Sequence, residues 1–245
     1  MDLIVYPHNI ELMIKSSKYL LLLLLLLVLS PKIYAQRFKG AVMGGMNISQ
    51  VDGDEVYGYH RVGGHIGLAA ILPLKKWDIT LETVFNQKGA FQKAQYEHWE
   101  YDTILNTIDS TLYTGAYDLR LNYVEVPLMV HYTDKERYTV GIGFSYGRLV
   151  NFSEIEHGGN VPPYSDTVSF SKNDYSFLAD LQIRVWKQLK FNIRFSYSMV
   201  PIRERTYYDV IYHLKDPWTR KQYNNMLTLR LVYVFNEKFE KKVEK

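Results

Sequence analysis

The residues of this 245-residue chain whose types suit chemistry are few and poorly matched to one another. Asp52-Gly53-Asp54-Glu55 opens like a calcium loop. The later oxygen ligands at EF-hand spacing are missing, so a turn held by aspartate side chains is the simpler expectation. Histidines 60, 65, 98, 131, 157 and 213 form no pair at metal-ligand spacing. His60 and His65 are separated by an odd number of residues, which on a strand puts them on opposite faces. Ser153, His157 and Asp166 have the residue types of a nucleophile, a base and an orienting acid, yet nothing in their spacing fixes that geometry. Glu97, Glu100, Asp102 and Asp109 read as a solvated acidic loop. The chain has no cysteine, which excludes disulfides, thiolate metal sites and a cysteine nucleophile. The expectation is a non-enzymatic protein with no catalytic, cofactor or metal site.

A second group of polar residues follows a regular spacing. In Lys190-Phe191-Asn192-Ile193-Arg194-Phe195-Ser196-Tyr197-Ser198-Met199, apolar and polar residues alternate with period two. That is a strand with one apolar face and one polar, partly charged face. Seven more segments read as strands: Phe38–Ile48, His60–Leu72, Trp77–Phe85, Leu119–Val130, Tyr138–Tyr146, Tyr175–Trp186 and Leu227–Phe235. In the Leu119–Val130 strand the apolar residues move from odd to even numbers. This slip predicts a bulge near Tyr123, with Pro127 costing a ladder donor close by.

The connections choose between a soluble sheet and a membrane barrel. Those at Pro73–Lys76, Thr133–Arg137 and Lys187–Gln188 are short, whereas those spanning 49–59, 92–116, 151–173 and 201–222 are long. Short and long alternate strictly, so all long loops lie at one end. Outer-membrane barrels sort their connections in this way, with short periplasmic turns and long outer loops. Trp77, Tyr132, Tyr138 and Trp186 flank the short turns, as interface aromatics do. Phe91, Tyr117, Phe152, Tyr175 and Tyr223 flank the long loops. A soluble lipocalin-like barrel wants an apolar pocket, and the polar face here is too charged for one. The fold expected is therefore all-β: an eight-stranded antiparallel up-and-down transmembrane β-barrel spanning residues 36–235. A mean hydropathy of −0.21 excludes a helical membrane protein but not a barrel.

Targeting agrees with this. Lys15 and Lys18 precede the apolar run at residues 19–29, and Ala35-Gln36 follows it. The run is too short to span a bilayer, so residues 1–35 read as a signal peptide cut after Ala35. Met13 is an alternative start. Residues 236–245 read as a short, charged, disordered periplasmic tail. A net charge of +3 gives no argument for nucleic acid.

Gly44-Gly45-Met46-Asn47-Ile48-Ser49-Gln50, Phe85-Asn86-Gln87-Lys88-Gly89 and Tyr123-Val124-Glu125-Val126-Pro127-Leu128, in that order, resemble signatures of the PorT-like outer-membrane β-barrel proteins of Bacteroidota. The resemblance implies an eight-stranded barrel in the cell outer membrane. The family's namesake takes part in type IX protein secretion, but its N-terminal extension is not evident here.

With the apolar faces toward lipid, Glu82, Arg120, Glu125, Asp180, Gln182, Arg184, Asn192, Arg194 and Arg230 are expected to point into the lumen. Charges crowded into an eight-stranded interior should pair and plug it. The function expected is a non-enzymatic structural or interaction barrel with a plugged lumen that displays its outer loops to envelope or secretion proteins. The alternatives are an accessory of type IX secretion and a small-solute channel. The expected partner is outer-membrane lipid, and the expected state is a monomer.

Overall fold

A computed structural model describes residues 38–93, 95–96, 113–114, 116–135, 137–156, 159–160, 170–207, 218–235 and 237. The expected signal peptide lies outside the described residues, as do His157, Asp166, Glu97, Glu100, Asp102 and Asp109. The elements in chain order are β1 (Lys39–Asp52), β2 (Arg61–Leu74), β3 (Trp77–Gln92), β4 (Gln95–Tyr96), β5 (Tyr113–Thr114), β6 (Tyr117–Asp134), β7 (Tyr138–Glu156), β8 (Gly159–Asn160), β9 (Asn173–Trp186), β10 (Leu189–Ser198), β11 (Arg203–Tyr207) and β12 (Trp218–Val234).

Eight long strands pair in the order β1-β2-β3-β6-β7-β9-β10-β12, and β12 pairs back to β1 from Ala41↔Val234 to Asp52↔Tyr223. All of these pairings are antiparallel. The ring is closed, so it presents no unpaired edge to a solvent that cannot hydrogen-bond. The short strands sit at the long-loop end, where β8 adds to β7 and β11 adds to β12 beyond β10. Lys75, Lys135 and Lys187 take left-handed φ values of 60°, 48° and 36° at the three short turns. That region is sparsely used by residues with a Cβ, and these lysines are held there by the tight strand reversals.

Outward positions are apolar over much of each strand. Trp77, Ile79, Leu81 and Phe85 on β3, Val124–Val130 on β6 at even numbers, and Tyr138–Tyr146 on β7 at even numbers from Val140 are exposed on the barrel exterior. Nine residues of tilted strand give a belt about 20–25 Å tall. Trp77, Tyr138 and Trp186 edge it at the turn end, and Tyr132 packs on Trp77 with ring centroids 5.0 Å apart. At the loop end, Tyr146–Tyr175 and Tyr197–Tyr223 make the matching ring pairs.

The irregularity expected near Tyr123 is present, but its cause differs. The β6–β7 register shifts between Asn122 and Tyr123, and the extra residue is Val150 on β7. In β6 itself the side chains never change sides: Tyr117, Leu119, Leu121 and Tyr123 stay buried inside, in step with Glu125 and Met129. What changes is the environment. Past the belt the exterior turns polar (Gln87, Asn122, Arg120) and the interior turns apolar. Tyr117, expected at the loop-end rim, is therefore inside. Pro127 also leaves a mark, because the β3–β6 ladder has no partners registered between Leu81↔Leu128 and Val84↔Glu125.

Interior space comes from small residues facing large ones across the β6–β7 pair. His131 is registered with Gly141 and Met129 with Gly143. A Cβ on Gly141 would lie 2.3 Å from His131 and 2.5 Å from Asp180, so only glycine fits beside those two.

Candidate functional site

The interior is built in layers along the barrel axis. Midway lies a cluster from five strands. Arg194 on β10 donates from both terminal nitrogens to Glu82 on β3, at 2.7 and 2.8 Å, and also to Asp180 on β9 at 2.7 Å. Arg230 on β12 donates to the same Glu82 at 3.0 and 3.1 Å and to the Asn192 amide oxygen at 2.7 Å. His131 on β6 lies 3.2 Å from Asp180. Glu82, Arg194 and Arg230 are at most 3% exposed. Two guanidiniums thus face two carboxylates, in bidentate geometry that planar Arg suits better than Lys.

Toward the loop end is a second cluster. Lys88 on β3 sits 2.6 Å from Glu125 on β6 and 3.1 Å from Asp174 on β9. Asn86 donates to Glu125, and Ser198 and Asn224 donate to Asp174. Above it, Val51, Ala90, Tyr117, Leu119, Leu121, Tyr123, Phe170 and Ile202 form an apolar layer. At the rim, Arg203 donates twice to Glu154, at 2.7 and 2.8 Å, and stacks over Phe170. Arg205 reaches Glu156 at 2.6 Å.

At the turn end, cations from three strands converge on Glu237. Glu237 lies 2.8 Å from Arg184, 3.3 Å from Lys39 and 3.5 Å from Lys190. Burial raises the Glu237 carboxyl, but the Arg184 hydrogen bond and the charges of Lys190, Arg184 and Lys39 outweigh it and hold it down at about 2. A cavity of about 20 Å³, lined by Thr80, Glu82, His131 and Lys190 among others, lies between these contacts and the middle cluster. It has room for about one water.

The expected lumen residues therefore fall into different places. Glu82, Asp180, Arg194 and Arg230 meet in one cluster, with Gln182 and Asn192 at its edge. Glu125 belongs to the second cluster and Arg184 to the Glu237 contacts at the turn end. Arg120 is a correction. Its side chain is 57% exposed on the barrel exterior, paired with Asp118 at 2.8 Å. The parity argument failed there because Leu119 and Leu121 face inward. Lys88 and Asp174, the residues missed, carry the right parity but lie beyond the alternating runs that marked strand ends. Glu237 carries no periodic signal that sets it apart from the charged residues around it.

Among the described residues no group of three or more metal-ligating side chains occurs. His65 is buried on β2, and His60, just before that strand, is exposed. Ser153 is exposed on the exterior of β7. Asp54 makes the expected turn, accepting the Val56 N–H at 2.9 Å. Burial pushes its carboxyl up to about 7. An acid raised on folding stabilises fully below its unfolded value and loses that contribution as pH rises through the folded one. Hydrogen-exchange protection of residues 53–60, corrected for intrinsic rates, is therefore expected to fall between pH 5 and 8. Asp54→Asn should flatten that dependence, and an unchanged slope would contradict the assignment.

A family model described as "Outer membrane protein beta-barrel domain" matches residues 34–203. The chain belongs to that family. This outer-membrane barrel is also similar to solved structures. They include Ail, the attachment invasion locus protein of Yersinia pestis (14% identity, TM-score 0.44, covering 80% of this chain and 98% of that one). Neisserial surface protein A (9%, 0.42, 79% and 96%) and OprG from Pseudomonas aeruginosa (11%, 0.43, 82% and 96%) are two others. No curated protein gives a significant match. For an outer-membrane barrel the exposed belt is the lipid-facing surface, and the charged layers lie inside.

Proposed function

We propose that this outer-membrane barrel is a non-enzymatic, monomeric structural or interaction protein with a plugged lumen, acting through its long loops. The observation that carries the reading is the Glu82–Arg194–Asp180–Arg230 cluster, which bridges β3, β9, β10 and β12 across the interior. The Glu237 contacts at the turn end and the apolar layer under the loops support it from either side. Such an interior leaves the loops as the surface on which function can vary. Liposomes loaded with the protein are expected to swell in small sugars no faster than protein-free ones. Swelling at porin-like rates would instead favour the solute channel.

The short turns face the periplasm and the loops face outward in this reading. Cysteine replacing Asn160 on β8 should react with an impermeant thiol reagent on whole cells, and cysteine replacing Lys76 should not. The reverse pattern would invert the barrel. Membership of the PorT-like group of Bacteroidota is supported by the three ordered motifs, and a signal peptide cut after Ala35 by Lys15, Lys18 and the apolar run that follows them. A role beside the type IX secretion apparatus is the second reading those motifs favour. Crosslinking in outer membranes that captures no envelope protein would remove it.

A further inference from the structure

The exterior of the barrel carries one feature that a purely apolar belt does not explain. Arg148 on β7 faces outward, exposed, in the same pairing row as Val124 on β6 and, through it, Phe85 on β3. Both of those neighbours face outward in the apolar belt. A guanidinium at the edge of a hydrocarbon belt is unfavourable unless an anion meets it. Its partner among the described residues is a neutral amide, the Asn173 oxygen at 2.7 Å, which also accepts from Tyr146. Higher on the same side, Arg61 and Arg120 share the single carboxylate of Asp118, at 2.7 and 2.8 Å. Among the described residues three cations therefore lie beside one acid, just above the Tyr146–Tyr175 pair that edges the belt: Arg120 and Arg148 face outward, and Arg61 reaches Asp118 with a side chain 17% exposed. Each guanidinium has five donors, more than these contacts use.

We propose that Arg61, Arg120 and Arg148 form a strip that binds the phosphate groups of lipid headgroups in the leaflet at the loop end. The occupant is a phosphorylated membrane lipid because the strip lies where the belt ends, at headgroup depth, and its excess charge is positive. Phosphate oxygens suit the guanidinium fork, and the acyl chains of the same lipid lie against Phe85, Val124 and Tyr146. The strip tethers the annular lipid on the β6–β7 side of the barrel. This rests on the loops facing outward, which Asn160→Cys labelling decides separately.

The test is native mass spectrometry of the detergent-solubilised full chain, titrated with diphosphorylated lipid A. Fully dephosphorylated lipid A and phosphatidylcholine serve as controls. Wild type is expected to bind the phosphorylated form at least tenfold more tightly than either control. Arg120→Gln combined with Arg148→Gln should remove most of that preference, and Arg148→Gln alone should remove part of it. Both variants should keep the heat-dependent gel mobility of a folded barrel, because the side chains face outward. Equal affinity of wild type and the folded double variant, or equal affinity of wild type for all three lipids, would overturn the proposal. If the double variant does not fold, Arg148→Gln alone decides the matter by the same comparison.

Discussion

Replacing Arg194 with alanine is expected to lower the unfolding free energy of the barrel by ~3–5 kcal/mol. The size follows from what is left behind. Arg194 is the link between Glu82 and Asp180, and its removal leaves two buried carboxylates sharing Arg230, which lies 3.8 Å from Asp180. An unpaired charge in a dry interior costs far more than the net worth of the pair that held it. The measurement is urea unfolding in lipid vesicles, with unboiled gel mobility reporting closure. Restoring charge balance should recover much of the loss, so Arg194→Leu combined with Asp180→Asn is expected to be more stable than Arg194→Ala. Additive losses would show that the two side chains act independently, contrary to the 2.7 Å contact.

The second large effect is expected at Lys88. It is 1% exposed and, among the described residues, is the one cation between Glu125 and Asp174 in the second cluster. Lys88→Met keeps the length of the stem and deletes the charge. Two carboxylates then face each other without a counterion, and one must take up a proton. A loss of ~3–5 kcal/mol is expected at neutral pH. It should shrink as pH falls toward 5, because protonating a carboxylate relieves the repulsion. The difference between wild type and Lys88→Met across pH, from unfolding midpoints, checks both size and sign. A difference independent of pH would mean that packing of the stem against Tyr123, not charge, dominates.

The parts of this structure that follow a period of two were legible in the chain, and the parts that depart from it were not. Strands such as 190–199 alternate because one face meets lipid and the other meets the interior, so Arg194 and Asn192 could be placed from parity alone. Sorting short turns from long loops gave the up-and-down order for the same reason, since every strand crosses the same belt. The reading broke where the lipid ends. In β6 the apolar residues Leu119, Leu121 and Tyr123 continue the inward side, and Arg120 and Asn122 the outward one. An apolar residue points toward whichever medium excludes water, and above the belt that is the interior. Parity names two faces without saying which is lipid.

Partners were less legible than faces. Nothing in the chain joins Lys88 to Asp174, 86 residues apart, or Arg194 to Glu82, 112 apart. Those contacts depend on the register of the closed ring. Glu237 was illegible for another reason: its site exists only because Lys39, Arg184 and Lys190 converge from three strands on the turn-end mouth. A single acidic residue in a charged terminus carries no trace of that convergence.

The proposed function rests on the interior clusters plugging the lumen, and current through the barrel tests that most directly. Purified wild-type protein reconstituted in a planar bilayer is expected to show no steady conductance above the protein-free background at neutral pH. The Glu82→Ala, Arg194→Ala and Arg230→Ala triple variant, if it closes into a barrel, should admit small ions. Stable, stepwise open-channel conductance from pure wild type would contradict the plugged lumen and make the protein a solute channel.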